Sequence, residues 1–127
     1  MHQPDLVPYL SCRDAAAGID FLTRAFGFET VQRMDGEDGA VLHAKMRRGN
    51  GMVMIDTAEA PRGSPGLYLV AEDVDGIADT ARAAGAEKVH PPEDTEFGTR
   101  RWRCRDPEGH EWSVGTYRPR SEPPDWP

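Results

Sequence analysis

The side chains that could do chemistry fall into three groups, and each is thin. Cys104 stands between Arg103 and Arg105, a setting in which nearby cations lower a thiol's pKa and make it nucleophilic. On a strand, however, adjacent residues point to opposite faces, so a reactive thiol is not expected. His43 stands without a visible orienting partner and reads first as a hydrogen-bonded strand histidine. His90 and His110 lie beside prolines and turns and read as surface groups. The acid pairs Glu37–Asp38 and Glu93–Asp94 sit in loop-like sequence and read as solvated surface. No GxSxG elbow, Walker loop, GxGxxG turn or HExxH helix is present. What remains is aromatic and cationic: Tyr9, Tyr68 and Tyr117 with Arg101 and Arg103, while Arg100 and Arg105 read as solvated strand residues pairing with nearby acids. Such side chains hold planar organic molecules, tyrosine by its ring and hydroxyl, arginine by stacking or by pairing with a carboxylate.

Composition narrows the classes. A formal net charge of −7 over 127 residues argues against nucleic acid or an anionic membrane surface, since both require a basic footprint. No run of about 18 apolar residues offers a membrane span, and no basic stretch leading into an apolar one reads as a signal peptide. Cys12 and Cys104 fit neither a disulfide framework nor a zinc knuckle. They read as buried thiols in a reducing cytoplasm. The length predicts one domain with a small core, which dimerisation would help.

An internal repeat sets the elements that must position these residues. At an offset of 58, Gly18, Ile19, Arg24, Ala25, Gly27, Glu29 and Val31 recur as Gly76, Ile77, Arg82, Ala83, Gly85, Glu87 and Val89. The same offset pairs Gly51 with Gly109, each taken to open a final strand. Each copy starts with a strand, Leu6–Cys12 or Gly66–Ala71. Asp14 and Asp73 are placed to cap the helices that follow. Ile19, Leu22 and Phe26 form one apolar stripe, and Ile77, Ala81 and Ala84 the other, before Gly27 and Gly85 end the helices. Three strands complete each copy: Thr30–Met34, Ala40–Met46 and Met52–Thr57, then Lys88–Pro91, Thr99–Arg105 and Glu111–Tyr117. The fold class is therefore α+β. Two βαβββ modules form a curved, cup-like mixed sheet with helices outside. A single domain spans residues 1–118, with module one at 5–58, a linker at 58–65 and module two at 66–118. A proline-rich tail at 119–127 carries Trp126 and reads as disordered.

Paired βαβββ units, Asp14 with Ile19-Asp20-Phe21, the run Arg24–Phe28, and Asp106-Pro-Glu-Gly-His-Glu-Trp112 before the last strand together resemble the vicinal oxygen chelate superfamily of glyoxalases, bleomycin-resistance proteins and extradiol dioxygenases. The resemblance covers about residues 5 to 118. In metal-dependent members, four ligands, usually two His and two Glu, sit on the first and last strand of each half. Those positions transfer here to Val7, Ile55, Gly66 and Ser113. None is a usual donor, and Asp56, one residue away from Ile55, would stand alone. A stable transition-metal site needs three or four converging donors, so no metal or other cofactor is expected.

The same transfer points Tyr9, Ser11, Val53, Thr57, Tyr68, Val70, Gly115 and Tyr117 into the cup. It also points Arg103 inward, with Arg101 by parity and Lys45 and His43 by the repeat. Trp102 and Trp112 then face the helices as core, and Met46, Met52 and Met54 pack. The expected ligand-binding set is Tyr9, His43, Ile55, Tyr68, Arg101, Arg103, Ser113 and Tyr117, with no catalytic residue. The resemblance lies closest to the metal-free antibiotic-binding branch. It implies a cytoplasmic homodimer whose clefts can use both subunits and which sequesters an aromatic natural-product antibiotic. The enzymatic alternative is a glyoxalase-like lyase or isomerase with an atypical site, using His43 with Arg101 and Arg103.

Overall fold

The computed structural model describes Pro4 and residues 7–58 and 66–119. The prolines of the linker, Leu6 and Trp126 lie outside the described residues. Two four-stranded mixed sheets carry the chain, each with one helix. In module one, β1 (Tyr9–Cys12), α1 (Ala15–Phe26), β2 (Glu29–Asp35), β3 (Val41–Arg48) and β4 (Gly51–Thr57) give the sheet order β1-β4-β3-β2. In module two, β5 (Leu67–Val70), α2 (Val74–Ala83), β6 (Glu87–Asp94), β7 (Arg100–Arg105) and β8 (Glu111–Gly115) repeat it as β5-β8-β7-β6. The first strand of each module runs parallel to the last, and the other pairs are antiparallel. This is the expected α+β arrangement of two βαβββ modules.

Local sequence explains the helix ends. Asp14 accepts the Ala17 N–H at 3.1 Å and Asp73 the Gly76 N–H at 2.9 Å, each satisfying a donor that the first turn leaves without a partner. Gly27 takes the left-handed conformation at φ 77°, and the N–H groups of Gly27 and Phe28 return to Thr23 and Leu22. A residue with a Cβ would be strained there. The first apolar stripe is as expected. The second is Val74, Ala78 and Ala81, with Ile77 and Ala84 only partly covered.

Strand β6 runs three residues beyond its expected end at Pro91. His90 pairs with Arg103 and Glu93 with Arg101, so Pro91 and Pro92 share a bulge on an edge strand. The N–H that proline lacks is not needed there. Val31 occupies a bulge on β2, the edge strand of the other sheet.

Each helix packs on its own sheet, and the helices pack on each other. No strand of one sheet lies beside a strand of the other among the described residues. Each module therefore keeps its own sheet, as the expected pair of βαβββ units implies. The modules meet through side chains instead. Phe26 and Phe28 contact the Trp112 ring at centroid distances of 4.9 and 6.0 Å. The Thr80 hydroxyl donates to the Ala25 carbonyl at 3.0 Å. Trp102 and Trp112 are core, as their parity implied.

Candidate functional site

Alternation on β4 decides which residues reach the concave face of module one. Val53 is 4% exposed and Ile55 0%, both packed under α1 with Leu10, Ala44 and Met46. Met52, Met54 and Asp56 therefore occupy the other face. This corrects the placement of Ile55 and Val53 in the cup. The cause is one extra residue: Arg105 pairs with Glu111, a longer connection than that between Arg47 and Met52. The repeat offset grows by one across that turn, so the counterpart of Ser113 is Met54. Tyr9 pairs with Met54 as Tyr68 pairs with Ser113. Gly109 consequently lies in the turn and does not open β8.

Module one presents Tyr9, Ser11, His43, Lys45, Met54 and Asp56 on this face. The Tyr9 hydroxyl and His43 Nδ1 are in hydrogen-bond contact at 3.1 Å. Met54 thus faces the cup and is not a core residue.

Module two presents Tyr68, Arg101, Arg103, Ser113 and Gly115. The Tyr68 ring crosses Gly115 so closely that a Cβ there would overlap it. The absent side chain lets the Tyr68 hydroxyl donate to the Tyr117 carbonyl at 2.6 Å. Partial burial pushes the Tyr68 phenol up, and the Tyr117 contact opposes that only in part. An open cavity of about 540 Å³ follows, lined by Tyr68, Thr95, Phe97, Thr99, Arg100, Arg101 and Tyr117. Arg103 and Ser113 lie further along the same face. The structure therefore brings Tyr68, Arg101 and Tyr117 together. It leaves Tyr9 and His43 on the other sheet.

Phe97 was missing from the sequence expectation. It is 82% exposed at the tip of the β6–β7 hairpin, between Thr95 and Thr99, whose hydroxyls meet at 2.7 Å. A large apolar residue in a five-residue hairpin tip cannot reach a core, and that was its available signal.

The cationic rim is internally neutralised. Arg101 Nε donates to Glu93 at 2.8 Å, Arg100 contacts Asp75 at 3.0 Å and Asp94 at 2.9 Å, and Arg103 approaches Glu111 at 3.6 Å. The Arg101 hydrogen bond holds the Glu93 carboxyl below its ordinary value. These exposed pairs add little stability.

His110 is 4% exposed, against its expected surface position, because the Asp106–Trp112 turn folds onto module one. Asp106 organises that turn. Its carboxylate accepts from the backbone of Glu108 and His110 and from the Trp112 indole at 2.9 to 3.1 Å. Among the described residues, no three His, Cys, Asp or Glu side chains converge. Tyr9 and Met54, paired on one sheet, and Tyr68 and Ser113, paired on the other, do not fit a transition-metal site.

The family model of the glyoxalase/bleomycin resistance protein/dioxygenase superfamily matches residues 6–114. The chain belongs to this superfamily. An uncharacterised protein of Mycobacterium bovis is 35% identical over 126 residues, covering 89% of this chain and 83% of that one. Among solved structures, TioX from Micromonospora sp. ML1 is similar with a TM-score of 0.76 and 31% identity, over 91% of this chain and 97% of that one. Glyoxalase I from Zea mays has a TM-score of 0.73 at 18% identity, over 88% of this chain and 44% of that one, a likeness of fold alone. No helix among the described residues is long and apolar enough to cross a membrane.

Proposed function

We propose that this superfamily member binds and sequesters an aromatic natural-product antibiotic, as a cytoplasmic homodimer and without a metal or other cofactor. The observation that carries the proposal is the second-module cavity. Its wall combines Tyr68, Phe97 and Tyr117 with Arg100 and Arg101. Its volume of about 540 Å³ falls in the range of small-molecule sites. Aromatic faces and flat guanidiniums attract a planar ring system without reacting with it. Dimerisation is supported by the separation of the two sheets, since each half-cup lacks an opposing wall within the chain.

The second reading is a glyoxalase-like lyase or isomerase. The contact between Tyr9 and His43 favours it, because it gives His43 an orienting partner. Calorimetric titration with quinoxaline-type and bleomycin-type antibiotics separates the two. Saturable binding with the antibiotic recovered intact is the expected result. No heat with either class, together with turnover of a glutathione hemithioacetal, overturns sequestration in favour of the enzyme.

A further inference from the structure

The concave face of module one holds a carboxylate with an unmet requirement. Asp56 Oδ1 is buried and accepts no hydrogen bond, and no other carboxylate oxygen among the described residues is so placed. Comparable acids on the concave faces are matched: Glu29 by Arg47, Glu93 by Arg101 and Glu111 by Arg103. No Lys or Arg of the described residues forms an ion pair with Asp56, although Lys45 lies on the same face.

Register shows what surrounds it. Asp56 pairs with Ser11 on β1, and continuing the β3–β4 ladder from Ala44 and Ile55 sets His43 on its other side. His43 Nδ1 is engaged with the Tyr9 hydroxyl. Met34 pairs with His43 across β2, and Met54 with Tyr9 across β1. Tyr9 and Met34 are half exposed. Ser11 and His43 thus flank the acceptor on the same face, with the Tyr9 ring and the Met34 and Met54 thioethers at the next positions of the sheet. A buried acceptor without a donor is costly, and a donor supplied from outside removes that cost. A charged nitrogen supplies it best, because it also neutralises the carboxylate and is attracted to the Tyr9 ring.

We propose that Asp56 anchors a cationic nitrogen, an ammonium or amidinium group, carried by an aromatic ligand on the concave face of module one. This deepens the small-molecule-binding reading by naming the ligand's charge and the residue that selects it.

Benzamidine and its uncharged analogue benzamide are the probes, titrated into the full-length protein and followed by NMR shifts of the module-one backbone amides. Benzamidine is expected to bind about tenfold more tightly, the ratio for one charge-assisted hydrogen bond over a neutral one. Asp56→Asn is expected to erase that ratio while the spectrum stays folded. Equal affinities, no binding of either probe at about 10 mM, or an unchanged ratio in a folded Asp56→Asn protein overturns the proposal. The wild-type ratio decides the matter if the variant does not fold. Antibiotic titration is scored separately. If antibiotics fail to bind while benzamidine shifts the amides around Asp56, the sequestration reading falls and the Asp56 site stands.

Discussion

His110 of module two donates its ring Nε2–H to the backbone carbonyl of Ser11 in module one, at 3.1 Å. A second contact runs the other way. Arg48, at the end of β3, donates to the carbonyl of Val70 at 3.0 Å and to that of Phe26 at 2.8 Å. Ser11 and Val70 occupy matching places, each two residues beyond the tyrosine of its module's first strand. Each module thus reaches from its β-hairpin to the first strand of the other. The Glu108 carboxylate strengthens one side, accepting the N–H of Arg13 at 2.6 Å and of Asp14 at 3.2 Å. It therefore sits at the N-terminus of α1, where negative charge is favourable.

Removing this clasp should loosen the modules. Glu108→Ala is expected to cost about 1 kcal/mol, the worth of a partly exposed charged acceptor at a helix start. The urea midpoint measures it, and a midpoint unchanged from wild type would show that Glu108 contributes nothing to docking.

The parity of β4 is separable from packing in general. Ile55→Ala should cost about 2–5 kcal/mol, because it opens a cavity under α1. Met54→Ala, on the concave face, should cost less than about 1 kcal/mol. Thermal melts of both variants check the difference, and the reverse order would return Ile55 to the cup.

That strand marks how far the sequence could be read. The Asp14 and Asp73 caps and the left-handed Gly27 were legible because each is written in a few adjacent residues, and the modules because the repeat keeps its offset through both helices. The core positions of Trp102 and Trp112 followed from alternation within one strand. Ile55 was misplaced because its position was carried across a turn that is one residue longer in the second copy. Alternation turns a single-residue slip into a change of face. The burial of His110 was illegible for another reason: its partner Ser11 lies in the other module, and no local pattern names it.

Both thiols should be inert in the folded protein. Burial, reinforced by Glu108, Asp106, Asp56 and Asp14, pushes Cys12 up to about 12. Burial and Asp106 do the same to Cys104, also to about 12. The thiolate is the reactive form, so a disulfide reagent at pH 8 should label neither cysteine until urea unfolds the chain. Fast labelling in buffer would contradict the buried positions.

Asp106 gives a signed pH effect. Burial raises its carboxyl above the ordinary value, and the Trp112 and His110 contacts lower it only in part. A raised folded pKa means that the folded state binds the proton more tightly than the unfolded chain. Its contribution is full below the unfolded value of 3.8 and is lost as pH rises through the folded value. Asp106→Asn cannot take up that proton. It also replaces an acceptor for the Trp112 indole, at a cost of about 2 kcal/mol at pH 7. The stability gap between wild type and variant should therefore widen as pH falls from 7 toward 4. Urea titrations across that range measure it, and a gap that narrows would mean that the folded state favours the ionised carboxylate.

Gly115 and Tyr68 should behave as one unit. A Cβ at 115 meets the Tyr68 ring and hydroxyl rather than backbone. Gly115→Ala must therefore push Tyr68 off the strand and break its bond to the Tyr117 carbonyl. The cavity loses its wall on that side, since Tyr68 and Tyr117 both line it. Antibiotic affinity is expected to fall about tenfold, equivalent to one aromatic contact. The control is a double-mutant cycle. With Tyr68 already replaced by Ala, the obstruction is gone and Gly115→Ala should cost no further stability or affinity. Additive losses in the cycle would mean that Gly115 is needed for the backbone itself and not to seat Tyr68.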